Sequence, residues 1–200
     1  RRLAVQSVFM KQRAAMGAGK VQQMAMNFIL TGNPGTGKTS IARKMGEVLQ
    51  SMEILPTSRV IEASRATLVG KYMGETPKIV NNMCDKAMGG ILFIDEAYTL
   101  SDGGDQYGKE AIDTLMKRME DDRGKFVVIA AGYKDKMEEF LMMNPGLASR
   151  FTHKLHIDDY NEDELLAIFK HMAQKDSYTL SPTAEFKALD TIYRMVLNKN

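Results

Sequence analysis

The sequence predicts an α/β fold: a mainly parallel sheet of five strands between helices, followed by an all-helical tail. Three observations carry this. Short apolar runs of strand length recur up to about residue 157. Segments with apolar residues at helical spacing separate most of them. Beyond residue 158 only helical spacing remains. Repeated strand–helix units favour a parallel sheet covered on both faces, and five buried strands are expected.

Taken in order, residues 1–23 open with Leu3, Val5, Val8 and Phe9 among polar residues and predict a helix, followed by a loop at 17–19. Phe28, Ile29 and Leu30 form the first strand. Residues 38–50 follow as a helix with Ile41, Ala42, Met45 and Leu49 on one face. Pro56 closes the connection to a second strand at 59–63. Residues 65–70 read as a turn or short helix, and 71–75 as a loop. A helix starts near Thr76, with Pro77 in its first turn. Cys84 lies on its apolar face and reads as a core residue. Gly89 and Gly90 end that helix, and Ile91, Leu92, Phe93 and Ile94 form a strand that runs into Asp95 and Glu96. Residues 101–107 are a polar, glycine-containing loop, and 108–122 a helix. A strand at 126–131 and a helix at 134–143 come next. Asn144, Pro145 and Gly146 interrupt the chain before a last strand at 155–157. Asn161 caps a helix, with Glu164 completing a capping-box pattern. Ser181 and Pro182 start the final helix.

The chemistry is concentrated in residues 26–40. Gly32, Asn33, Pro34 and Gly35 lead into Thr36, Gly37, Lys38, Thr39 and Ser40, in the pattern G-x-x-x-x-G-K-T. A strand, a glycine loop and a helix in that order make a phosphate cradle. Gly35 and Gly37 let the backbone curl so that its N–H groups point inward. The helix that follows adds the positive end of its dipole. Lys38 supplies a cation for the β- and γ-phosphates, and the Thr39 hydroxyl can ligate Mg²⁺. Asp95 and Glu96 stand at the carboxyl end of a buried strand, where ligands sit in open α/β sheets. Asp95 can complete the Mg²⁺ shell opposite Thr39. Glu96 can take a proton from the attacking water, help worth about 10²–10⁴ in rate. A nucleoside triphosphatase is therefore expected, with ATP and Mg²⁺. GTP is disfavoured because residues 132–135 lack the Asn of an N-K-x-D guanine reader, and Asp95 begins no D-x-x-G.

Composition bounds the rest. Apolar residues make up 44% of the 200 and charged residues 26%, ordinary for a globular chain. A net charge of +2 argues against bulk nucleic-acid binding. One cysteine fits a reducing, cytoplasmic compartment. No apolar run has the length of a membrane span, so no membrane insertion is expected.

The blocks FILTGNPGTGKTSIARKMGEVL, LVGKYMGET, GGILFIDEAYTL, YGKEAIDTLMKRMEDDR, VVIAAGYKDKMEEFL and NPGLASRF occur in this order. Together they resemble an AAA+ ATPase module, a P-loop NTPase fold. The likeness is narrower with the CbbX/CfxQ group, which also holds stage V sporulation protein K and the EccA-type ATPases. The resemblance implies a large α/β nucleotide-binding domain over residues 1–158 and a partial helical lid over 159–200. It also implies a homo-oligomeric ring, usually a hexamer, with ATP bound between subunits and a protein client. Lys38, Thr39, Asp95 and Glu96 match the two Walker motifs. Arg150 matches the arginine finger that reaches a neighbour's γ-phosphate. Tyr72, Met73 and Gly74 match the aromatic pore loop that grips polypeptide, and a polar second loop at 101–107 would line the same channel. Tyr133 falls where the first sensor stands and reads equally as a packing residue. The chain lacks the sensor-2 segment and the N-terminal stretch of the adenine pocket. It reads as a fragment, expected to bind nucleotide weakly and assemble poorly alone.

Two other readings keep the same fold. A nucleic-acid motor would want basic channel loops, whereas residues 101–107 carry Asp102 and Asp105 and no Lys or Arg. A scaffold that binds ATP without turning it over would not need the adjacent Asp95–Glu96 pair.

Overall fold

The computed structural model describes residues 26–102 and 105–197. The helix expected over 1–23 lies outside the described residues. The chain divides into two units, one ending at Ile157 and one beginning at Asp158.

The first unit is a five-stranded parallel sheet. Its strands are β1 (Phe28–Thr31), β2 (Val60–Ala63), β3 (Ile91–Ile94), β4 (Val127–Gly132) and β5 (His153–His156), in spatial order β2-β3-β4-β1-β5. Each neighbouring pair is parallel, with Phe28 opposite Ile129 on one side and His153 on the other. The chain order forces crossovers, and these are helical: α1 (Lys38–Ser51), α2 (Arg65–Leu68), α3 (Thr76–Ala87), α4 (Gln106–Asp121), α5 (Lys134–Met143) and α6 (Pro145–Arg150). One core packs Ile29, Leu92, Val128 and Ala130 against the α3, α4 and α5 side. The other packs Phe28, Leu30, Phe93 and Ile129 against α1. Alternate residues of each central strand thus feed opposite faces, which is why those strands read as unbroken apolar runs.

The expectation of five buried strands needs correcting. β1, β3 and β4 are buried, but β5 is half-buried at His153 and exposed at its other three residues, and β2 is buried only at Ala63. Both are edge strands, covered by a neighbour on one side only, and both carry charged residues as edges do. The segment after Asn144, expected only as an interruption, forms α6. The Asn144 side chain caps it by accepting the N–H of Gly146 at 3.0 Å, and Pro145 sits in its first turn. α4 begins two residues earlier than expected because Asp105 caps it, accepting the Gly108 N–H at 2.6 Å.

Within the first unit α3 and α4 are braced by Arg118. Its guanidinium pairs with Asp122 and Asp85 at 2.7 Å each and donates to the carbonyl and side-chain oxygens of Asn81 at 3.2 Å. The Lys125 ammonium, then the Arg118 guanidinium, hold the Asp122 carboxyl below its ordinary range against the opposing effect of burial. Cys84 lies wholly buried on α3, and burial pushes its thiol up to about 11.

The second unit contains α7 (Glu162–Lys175) and α8 (Pro182–Leu197). The capping box at Asn161 and Glu164 is formed in both directions at 2.9 Å. Lys170 and Glu185 bridge the two helices at 2.6 Å.

Candidate active site

The ends of three parallel strands converge on one cavity of about 380 Å³. The loop after β1 supplies Pro34, Gly35 and Gly37, and the start of α1 supplies Lys38, Thr39 and Ser40. Asp95 and Glu96 come from the end of β3, and Gly132 and Tyr133 from the end of β4. The fold therefore brings the phosphate-loop cation and hydroxyl to the same space as both carboxylates, which lie more than fifty positions away in sequence.

The loop is shaped by residues that do not line that cavity. Gly32 is buried, and a Cβ there would stand 2.6 Å from the Ile157 carbonyl oxygen, so no larger residue fits. The buried Thr36 hydroxyl donates to the Asn33 carbonyl at 2.8 Å and closes the turn. Gly35 (φ 78) and Gly37 (φ 81) adopt the left-handed backbone that the loop requires. Of the nine residues assigned from sequence to nucleotide binding, Gly32, Asn33 and Thr36 build the curve, and the other six face the cavity. The Lys38 ammonium donates to the carbonyls of Gly32 at 2.9 Å and Asn33 at 2.8 Å. It lies across the mouth of its own loop.

Glu96 is held in strained backbone. Three non-glycine residues among those described have positive φ: Glu53, Glu96 and Ser177. Glu53 and Ser177 follow the C-caps of α1 and α7, where left-handed residues ordinarily end helices. Glu96 does not. It follows a buried strand, at φ 46 and ψ 47, and opens a short 3₁₀ turn over Ala97–Leu100. Its carbonyl accepts the Thr99 N–H and hydroxyl at 2.8 and 2.7 Å. Its own N–H donates to the Asp95 side chain at 3.1 Å. Left-handed backbone of this kind at a non-glycine residue, outside a helix C-terminus and beside a cavity, is a position where a functional role is worth testing.

Sequence reading missed Tyr98. Its ring is buried beneath the site, and the Lys136 ammonium lies 4.7 Å from the ring centroid. Any side chain on Gly132 would meet that ring at 2.7 Å. Burial first, then the Glu96 carboxylate that its hydroxyl bonds, push the phenol up to about 12. Tyr98 therefore stays a hydrogen-bond donor at any physiological pH. Tyr133, expected as a sensor or a packing residue, lines the cavity and tilts against Tyr98 with centroids 6.0 Å apart. The one signal for Tyr98 in the sequence is its place two residues after Glu96.

Arg150 does not line the cavity. At the end of α6, 26% exposed, it donates to the Gly146 carbonyl at 3.1 Å and faces Glu120 of α4 at 3.5 Å. Its Nε is sealed from water with no hydrogen-bond partner, the one such buried side-chain nitrogen or oxygen found among the described residues. Tyr72 and Met73 are 71% and 89% exposed, in the loop between α2 and α3.

Thr39 and Asp95 offer hydroxyl and carboxylate oxygens, the hard donors that suit Mg²⁺. The amides at the start of α1 and the Lys38 ammonium suit a polyphosphate. The site can thus hold a nucleoside triphosphate with its metal and present a base to it.

Comparisons with known proteins identify the family. The profile of the ATPase family associated with various cellular activities (AAA) matches residues 28–159. Stage V sporulation protein K of Bacillus subtilis is 46% identical over 92% of this chain. The chloroplastic ribulose bisphosphate carboxylase/oxygenase activase of Cyanidioschyzon merolae is 44% identical over 84% of it, and protein CbbX of Cereibacter sphaeroides 40% over 90%. The chain spans 57%, 58% and 59% of the length of these relatives. A crystal structure of the FIGL-1 AAA domain in complex with ADP has the same fold, with a TM-score of 0.57 at 19% identity, over 82% of this chain and 53% of that one.

Proposed function

The chain belongs to the AAA family of ATPases, and from that premise we propose that it is the motor module of a ring that hydrolyses ATP to remodel or thread a protein client. The observation that carries this reading is the meeting of Lys38, Thr39, Asp95 and Glu96 at one cavity. A second carboxylate beside the metal-binding one, held in left-handed backbone at the same cavity, supports turnover rather than binding alone.

The chemistry follows from the residues. The loop amides and Lys38 hold the β- and γ-phosphates, with the ammonium exchanging its carbonyl partners for phosphate oxygens. Thr39 and Asp95 would hold Mg²⁺, which when bound would supply positive charge to offset that of the triphosphate. Glu96, oriented by Tyr98, accepts a proton from water as that water's oxygen bonds to the γ-phosphorus. The bond from that phosphorus to the β–γ bridging oxygen breaks, leaving ADP and phosphate. Arg150 of an adjacent copy would meet the charge that builds on the γ-phosphoryl group, a contribution of roughly 10³–10⁵ in kcat. Its incomplete hydrogen bonding within its own chain supports that role. A guanidinium with a sealed, unpartnered nitrogen loses little by moving to a better anion.

The exposed Tyr72 and Met73 are the proposed grip on the client. They offer large, sequence-tolerant contact at low entropy cost. Among the described residues no helix is long and apolar enough to cross a membrane. A cytoplasmic setting, part of the same proposal, rests on the lone thiol Cys84.

The test is steady-state phosphate release by the full-length protein, beside Lys38→Ala and Glu96→Gln. The expected result is turnover in the parent, loss of nucleotide binding in the first variant, and bound but uncleaved ATP in the second. Parent-like turnover by Glu96→Gln would overturn the assignment of the base.

A further inference from the structure

The loop that presents Tyr72 and Met73 is held from behind by one side chain. The Glu75 carboxylate accepts the backbone N–H of Lys71 at 3.2 Å and that of Tyr72 at 3.1 Å, both on Oε2. The Glu75 N–H donates in turn to the Tyr72 carbonyl at 3.3 Å. Beneath it, the Gly70 N–H donates to the hydroxyl of the wholly buried Thr76 at 3.0 Å. A Cβ on Gly70 would lie 2.5 Å from the Glu75 Cβ, so only glycine lets the glutamate stem come this close. Gly74, at φ 78, completes the return of the chain.

Glu75 is also the first anchor of α3. Its carbonyl accepts the Ile79 N–H at 3.0 Å. A negative charge at the start of a helix is favoured by the helix dipole. The backbone of Glu75 thus belongs to a helix that Arg118 braces against α4, while its side chain belongs to the loop. The loop is mounted on a fixed support.

Such a mount answers a physical difficulty. Large apolar side chains left in water gain by folding back onto the domain's own surface. Tyr72 and Met73 stay out, so something must fix the backbone beneath them. Two amide bonds to a single side-chain oxygen do so.

We propose that Glu75 is the positioning residue that holds the Tyr72–Met73 loop in the conformation that grips polypeptide. This rests on the client-gripping reading of that loop given above. Glu75 itself touches no client and acts through the amides of Lys71 and Tyr72. Acceptance of those amides is the requirement, so a glutamine oxygen serves and a methyl group does not.

The experiment uses the full-length protein with fluorescein-labelled casein as an unfolded-polypeptide probe, in a slowly hydrolysed ATP analogue. Anisotropy reads the Kd, and hydrogen exchange reads residues 70–76. With two amide bonds gone, Glu75→Ala is expected to raise the casein Kd about fivefold or more and to speed exchange at Lys71 and Tyr72 about tenfold. Glu75→Gln is expected to stay within about twofold of the parent in both. Tyr72→Ala runs alongside and is expected to bind casein weakly. Absent binding by the parent, or parent-like binding by Tyr72→Ala, removes the gripping reading and this proposal with it. Weak binding by Tyr72→Ala beside parent-like binding and exchange in Glu75→Ala overturns the positioning role alone.

Discussion

Lys38 and Arg150 are both cations suited to a triphosphate, and the fold holds them in opposite ways. Lys38 lies in the cavity, with its ammonium on two carbonyls of the loop it serves. With two main-chain carbonyls as its partners, the lysine needs only to exchange them for phosphate oxygens in the proposed reaction. Arg150 is outside the cavity, resting on the Gly146 carbonyl and facing Glu120, with Nε sealed and unpartnered. One cation is complete within a single chain. The other is held provisionally. The difference teaches that folding alone completes the surroundings of one cation and leaves the other short of a partner, which is why the proposal assigns Arg150 to a second copy.

The largest effect tests that contrast directly. Arg150→Ala is expected to lower kcat by roughly 10³–10⁵ in the assembled protein while nucleotide affinity stays near the parent's. Phosphate release and titration with a fluorescent ATP analogue check it. Co-assembly with Glu96→Gln, itself expected to lose about 10²–10⁴, should restore part of the rate. A restored rate requires that the arginine and the glutamate come from different subunits. Mixtures as inactive as either variant would place Arg150 in service of its own chain and erase the distinction.

Tyr98→Phe sharpens the self-contained side. The ring keeps its packing under Gly132, and only the hydroxyl beside Glu96 is lost. A fall of about tenfold in kcat, with KM for ATP little changed, is the expected worth of one hydrogen bond to a charged group. An equal rise in KM would instead make Tyr98 a binding residue.

Much of the self-contained half was legible in the sequence because its signals are local. The phosphate loop, the β3 carboxylates and the Asn161 capping box each occupy a few consecutive residues. What was missed depends on long-range packing. Glu120 meets Arg150 across thirty positions, and no local pattern marks either as the other's partner. Asp122 stands in a run of three consecutive acids, which in sequence reads as solvated charge, yet it is 14% exposed and bonded to Arg118 and Lys125. The exposure of β2 and β5 was hidden because strand order, not composition, decides which strands are edges.

The smallest effects concern that brace and report on stability. Asp122→Asn should cost about 1–3 kcal/mol, since it leaves a largely buried guanidinium short of one carboxylate; urea denaturation measures this. The pH dependence has a fixed sign. The Asp122 carboxyl is held below its ordinary value, so its contribution is complete above the unfolded value of about 4 and is lost as pH falls through the lower folded one. The parent should therefore lose stability on acidification more steeply than Asp122→Asn. Cys84, buried with its thiol raised to about 11, should react with a thiol reagent only on unfolding, which gives an independent clock for the same transition.

The left-handed glutamate after β3 carries one more consequence. Such backbone costs about 1–3 kcal/mol for a residue with a side chain, and glycine would carry it almost free. A protein selected for thermal robustness alone would lose Glu96 early. On the role proposed for Glu96, a glycine variant that hardens would be a sturdier object with no work left to do.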